Sequence, residues 1–333
     1  MRLVKNLCRI IVGIVFIYSG FVKGIDPLGS DYKFTDYFNA FGMGWMNATT
    51  LFFSFALSLA EFLIGIALLF NLWVSRMAWG SLLFMFFFTP LTLVSALTNP
   101  VSDCGCFGDA TLLTNWQTFW KNIILLLLAI MIFVYRKEYK SSLPLVGQFS
   151  FLALAGAGML CLSVYCYRHL PVLDFRPYAV GKNITEGMRL PEGTEPDQYE
   201  VTLKYKNKQT GEVQSFTEEN YPWQDTLNWE YESSSERLVK KGYITPIHDL
   251  VIEHPTLGNI TEEILEDDNH TILAVAYNLT QSDVQYQPAI NRLAEYAQEK
   301  GIRFYGLTSS SERDIETYKK RYHVPYEFCT ADE

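Results

Sequence analysis

The stretch TLFFSFALSLAEFLIGIALLFNLW, residues 50–73, carries a single charge, Glu61, in 24 residues. A helix rises about 1.5 Å per residue, so roughly 20 apolar residues cross the hydrocarbon of a bilayer. This run is long enough to do so. Ser54, Ser58, Glu61 and Gly65 recur at three- and four-residue spacing and share one helix face. A carboxylate left unpaired at that depth costs several kcal/mol. Glu61 is therefore either a functional group or a protonated carboxyl bonded to a neighbouring helix.

Four further apolar runs flank it. Ile10–Val22 follows Arg2, Lys5 and Arg9. It reads as a retained transmembrane helix, because no small-x-small cleavage site follows and Lys23 can snorkel to the far interface. Met77–Leu97 contains Thr89-Pro90, a kink signal, and Trp116–Tyr135 carries interface aromatics. Leu145–Tyr167 has Ala153, Ala157 and Cys161 as a small-residue stripe suited to close packing. Residues 24–47 read as a polar, aromatic loop. All but the first run reach about 20 residues.

Arg2, Lys5, Arg9, Arg76, Arg136, Lys137 and Lys140 fall on one side of this five-span arrangement. The positive-inside rule then puts the N-terminus in the cytoplasm. The loop between the third and fourth spans and everything after Arg168 lie outside. In a bacterium that is the extracytoplasmic side of the inner membrane, where disulfides persist.

That outer loop holds Asp103-Cys104-Gly105-Cys106-Phe107-Gly108-Asp109. Two cysteines two residues apart can approach if the backbone turns sharply, which Gly105 permits. The spacing points to a redox- or exchange-active pair, a small staple, or two free thiols packed under a loop. Asp103 and Asp109 disfavour a thiolate. Thr114 and Gln117 have capping-box spacing, so a helix starts there with its positive end toward the loop. No His lies near the pair, and no metal site is expected. Cys166, in the outer half of the fifth span, is the intramembrane thiol placed to exchange with it, whereas Cys161 reads as a small buried apolar residue.

Composition changes sharply after this. Residues 1–170 hold 11 Lys and Arg against 7 Asp and Glu, and the remainder holds 16 against 29. An acidic second half excludes nucleic acid as its partner. Residues 174–197 read as linker. Tyr199–Lys206, a turn at 207–211, and Glu212–Phe216 form a hairpin signal, with further strands to about Asn259. Strand, helix, strand and helix then follow at 271–277, 283–300, 302–308 and 311–322, implying parallel pairing.

Phe16-Ile17-Tyr18-Ser19-Gly20-Phe21-Val22-Lys23-Gly24-Ile25-Asp26-Pro27, with Tyr32-Lys33-Phe34 and Tyr37, resembles the opening of DoxX-like membrane proteins. Cys104-Gly105-Cys106-Phe107-Gly108 is similar to the loop of the related MauE proteins of methylamine utilisation. The resemblance covers about residues 1–140. It implies a four-helix membrane bundle akin to that of vitamin K epoxide reductase, linked to quinones or to disulfide formation in exported proteins. The bundle reductases use Cys-x-x-Cys in a helix, which is not present here. From Ile272 onward the chain resembles a membrane-tethered thioredoxin-like domain. Pro288-Ala289-Ile290-Asn291-Arg292-Leu293 matches the segment after that family's dithiol, whose positions would be Thr280 and Asp283. The dithiol is therefore lost, and the chain stops at Glu333 before the final hairpin and helix of that fold.

The expected architecture is an all-α membrane bundle, a four-helix DoxX/MauE-like domain over 1–140 with a fifth transmembrane helix over 141–170. A β-rich external region over 171–265 and a partial thioredoxin-like α/β unit over 266–333 follow. The expected function is thiol or quinone redox maturation of an exported client. Cys104 and Cys106 are its redox pair, Cys166 an exchange partner, and Glu61 a proton- or quinone-contacting group. A quinone is the one cofactor implied. The rival is a non-enzymatic anchor or assembly factor in the lipid bilayer, its external domain binding the client.

Overall fold

The computed structural model describes all residues except 1, 102–103, 196–197, 209, 218–219, 223–224, 226, 241, 244, 248–249 and 333. The chain forms two compact units, residues 1–180 and 181–333.

The first unit is helical: α1 (Arg2–Ile25), α2 (Pro27–Ala40), α3 (Thr50–Leu69), α4 (Val74–Thr98), α5 (Asn115–Val134) and α6 (Leu145–Arg168). All but α2 are long and apolar enough to cross a membrane. Leu83, Phe86, Leu127 and Leu154 are exposed on the outside, as expected of a bundle solvated by lipid. The first span exceeds its expected bounds because helical geometry continues through both of its charged ends.

The segment expected as a loop at 24–47 is mostly helix. Asp26 accepts from the Gly29 N–H at 3.0 Å and Pro27 occupies the first turn, so α2 has both start signals. At α5 the capping box is complete: Thr114 Oγ1 accepts from Gln117 N at 3.2 Å and Thr114 N donates to Gln117 Oε1 at 3.0 Å. Helix α4 continues through Pro90.

Helices α1 and α3 cross almost backbone to backbone. A Cβ on Gly20 would sit 2.5 Å from the Phe62 nitrogen, and one on Gly65 2.5 Å from that of Ile17. Only glycine fits such a crossing. At the opposite end of α3, buried Arg9 of α1 donates to the Leu68 and Leu69 carbonyls and satisfies a helix terminus. The stripe on α6 does not pack. Ala153, Ala157 and Cys161 are exposed, and the buried face is Gln148, Leu152, Met159, Ser163 and Cys166. The spacing places the three small residues on one face, but a different face of α6 is the one that packs.

The second unit contains α7 (Ile184–Met188) and two sheets. Strands β1 (Gln198–Asn207), β2 (Val213–Thr217) and β3 (Trp229–Lys240) form an antiparallel sheet in the order β2-β1-β3, and the expected hairpin has Leu203 opposite Phe216. Next come β4 (Val251–His254), β5 (Gly258–Asn259), α8 (Thr261–Leu265), β6 (Thr271–Val275), α9 (Gln287–Glu299), β7 (Arg303–Thr308), α10 (Glu312–Tyr322) and β8 (Glu327–Asp332). The second sheet runs β5-β4-β8-β7-β6, with β6, β7 and β8 parallel as the alternation implied. Because β8 pairs with β4, this sheet reaches back across the boundary expected at residue 265. Neighbours on β8 face opposite cores, Phe328 packing with Ala294 and Tyr318 and Cys329 with Ile252, Ile260 and Ile264.

Candidate functional site

The α4–α5 loop turns at Gly105, where φ is +62°, a conformation that strains residues with a Cβ. The turn brings Cys104 Sγ and Cys106 Sγ to 3.3 Å as free thiols. Gly108 N donates to the Gly105 carbonyl at 3.2 Å and closes the loop.

Helix α1 holds this loop in place. Ser19 Oγ donates to the Cys106 carbonyl at 2.7 Å. Tyr18 packs edge-on to Phe107 with ring centroids 5.1 Å apart, and its hydroxyl lies 3.0 Å from Thr111 Oγ1. From α5, Lys121 Nζ stands 4.2 Å from the Phe107 ring centroid. No positive charge lies in the loop sequence, yet the fold brings one to it.

One turn beyond Ser19, Lys23 is buried rather than snorkelling. Its Nζ donates to Glu61 Oε1 at 2.8 Å, Glu61 Oε2 at 2.9 Å and Ser19 Oγ at 3.0 Å. An unpaired ammonium at this depth is costly, and Glu61 lies within reach because the α1–α3 crossing is glycine-tight. Glu61 is thus paired with a basic side chain of the neighbouring helix. Ser54, Ser58, Glu61 and Gly65 all lie buried on one face, as their spacing implied.

Cys104, Cys106, Lys23 and Glu61 line a cavity of about 190 Å³, walled by Phe34, Tyr37, Phe84 and Phe88. An apolar cavity of about 150 Å³ holds a benzene ring, so this one admits a single-ring group. Phe41 and Phe87, 40% and 63% exposed, border the cavity on its outer side.

The two thiols differ. Cys106 is held below the ordinary thiol range chiefly by its hydrogen bond with Cys104, aided by the charges of Lys121 and Lys23 against the opposing effect of burial. Cys104 is pushed up by the same bond and by burial. Burial, and then the neighbouring Cys104, raises the Tyr37 phenol. The two thiols titrate as a coupled pair, so the first proton lost belongs to the pair. Asp109 is exposed, and Asp103 lies outside the described residues.

Of the residues singled out from sequence, the fold brings Cys104, Cys106 and Glu61 to one cavity. Cys166 is buried on α6 and is not among the side chains lining it. Cys161 is exposed, not buried, and Cys8 packs against Met131 with sulfurs 3.6 Å apart. Sequence reasoning passed over Lys23, Lys121, Tyr37 and Ser19. A signal existed for two of them: Lys23 lies four residues after Ser19, and Lys121 is the only charge in its span.

Residues 1–135 match the family model described as methylamine utilisation protein MauE. Over this stretch the membrane bundle is similar to the MauE family. Its cysteine loop, Lys23, Glu61 and Lys121 all fall inside the matched region. Residues 199–241 match a domain of unknown function, DUF8463, which takes in the three-stranded sheet. No curated protein and no solved structure matches the chain.

Proposed function

We propose that this MauE-like bundle is a membrane thiol oxidoreductase component serving an exported protein. A client thiolate attacks the Cys104–Cys106 disulfide, a mixed disulfide forms, and the second client thiol resolves it. The client gains a disulfide and the loop is left as two thiols. Oxidation of those thiols releases two electrons and two protons, which a lipid-soluble quinone accepts to become a hydroquinone. The observation that carries this reading is a thiol pair in the wall of an apolar, ring-sized cavity bordered by exposed phenylalanines. Such a border suits a ligand drawn from lipid.

The positive charges of Arg2, Lys5, Arg9, Arg76, Arg136, Lys137 and Lys140 support an N-terminus in the cytoplasm of a bacterial inner membrane, with the cysteine loop and residues after 168 outside. The second unit we take as the client-binding part, related to thioredoxin-like domains but without their chemistry. Thr280, Gln281, Ser282 and Asp283 occupy the turn ahead of α9, and the unit's one cysteine, Cys329, is fully buried. The methylamine utilisation description of the family suggests a client matured for that process.

The test is disulfide trapping in cells that make the full chain with Cys104→Ser or Cys106→Ser. One single variant is expected to accumulate a mixed disulfide with an exported protein, identified by mass spectrometry, and the double variant is expected to give none. Absence of any trapped partner in both single variants would leave the non-enzymatic anchor as the better account.

A further inference from the structure

We propose that the buried Lys23–Glu61 pair is a positioning device for the thiol loop, holding the Cys106 backbone through Ser19 and setting the field at the Cys106 sulfur from the wall of the shared cavity. The hydrogen bonds form an unbroken chain across two helices and the loop. Glu61 of α3 grips the Lys23 ammonium through both oxygens, Lys23 donates to Ser19 Oγ at 3.0 Å, and Ser19 donates to the Cys106 carbonyl at 2.7 Å. With three donors on an ammonium, all three directions are taken, so Lys23 is fixed. Lys23, Glu61 and Ser19 are each less than one-tenth exposed, and all line the cavity with Cys106.

The surroundings of Cys106 give these two residues opposite effects. Around the cavity, α1 contributes Lys23, α2 Lys33 and Tyr37, α3 Glu61, and α5 Lys121; the side chains from α4 are apolar, and the loop itself adds Cys104. The Lys23 cation favours a thiolate at Cys106 and the Glu61 carboxylate opposes it. Glu61 therefore has two roles: it fixes the ammonium in place and it moderates the field that the ammonium exerts. Cys104 has a different neighbour, Tyr37, which lines the same cavity.

This assignment rests on the thiol-pair reading only for its purpose, and it is measured without turnover. The full chain in lipid nanodiscs, kept reduced, is alkylated with iodoacetamide across a pH series, and Cys104 and Cys106 are quantified separately by mass spectrometry. Lys23→Met is expected to raise the pH midpoint of Cys106 labelling by about one unit or more, and Glu61→Gln to lower it. Lys23→Arg is expected to retain the parent midpoint. A role limited to holding the fold would move both neutral variants the same way, toward an ordinary thiol. That result, or no shift in Lys23→Met, would overturn the proposal. If Lys23→Met is not recovered folded, Glu61→Gln alone decides: a lower midpoint supports the assignment, and an unchanged or higher one overturns it. Opposite shifts here, combined with failure to trap a client, would discard the exchange function and keep the positioning device.

Discussion

The membrane bundle and the α/β unit handle the same side chain in opposite ways. In the bundle, Cys106 lies on a tight loop, where the neighbouring thiol Cys104, and then Lys121 and Lys23, lower its proton affinity. In the α/β unit, Cys329 is wholly buried on β8 among Ile252, Ile260 and Ile264, and burial and Glu327 push its thiol up to about 11. A cysteine becomes reactive through its surrounding charge and access, not through its presence. The same contrast holds for charges. The bundle buries Lys23 and Glu61 in mutual contact, whereas the α/β unit keeps pairs such as Lys320–Glu316 in solvent.

The largest effect should come from breaking the buried pair. Glu61→Ala is expected to destabilise the bundle by about 3–5 kcal/mol, because it leaves the Lys23 cation alone in a low-dielectric interior. Reversible unfolding in mixed detergent micelles would measure this. The double variant Lys23→Met with Glu61→Met should recover most of the loss, and failure to do so would mean that packing, not charge, dominates the site.

The thiol contrast comes next. At pH 8 in the folded chain, Cys106 should alkylate about a hundredfold or more faster than Cys329. Its lowered proton affinity should keep Cys106 reactive below the pH at which an ordinary thiol falls silent. Cys329 has the opposite sign: a raised folded value adds stability below the unfolded thiol pKa. That stability is lost as pH rises through about 11. Labelling of Cys329 as fast as that of Cys106 would erase the distinction between the two regions.

A smaller effect tests the helix crossing. Gly20→Ala should cost about 1–3 kcal/mol, since its Cβ meets backbone that cannot move aside. Gly158→Ala on α6, where a Cβ would meet nothing within 4 Å, is the control and should not destabilise. Both are read from the same micelle titrations. Smallest of all, Glu316→Ala should change stability by no more than about 0.5 kcal/mol, because its pair with Lys320 is exposed. A large loss there would show that surface charge matters more in the α/β unit than its exposure implies.

How much was legible in the sequence follows from the range of the forces involved. Five spans, the capping box at Thr114, the hairpin at 198–217 and the alternating strands and helices after 271 rest on local signals: apolar length, periodicity and turn residues. The shared face of Ser54, Ser58, Glu61 and Gly65 and the turn at Gly105 were equally local. The segment at 24–47 misled because its mixed polarity hides a helix, even though Asp26-Pro27 announces one. The stripe on α6 misled because spacing defines a face but not which way the face turns.

By itself, then, the sequence determined a membrane bundle, a thiol pair on one loop, and a carboxylate at membrane depth. Only the tertiary structure decided that Lys23 meets Glu61, that Lys121 lends the loop its charge, that Cys166 stays off the cavity, and that β8 returns to β4. These are contacts between residues 14 to 81 positions apart, such as Lys121 with Phe107, Lys23 with Glu61 and Val251 with Asp332. Periodicity reports which residues share an element, whereas such contacts depend on how closely elements approach. In the bundle that distance was set by Gly20 and Gly65, which have no side chain to hold α1 and α3 apart.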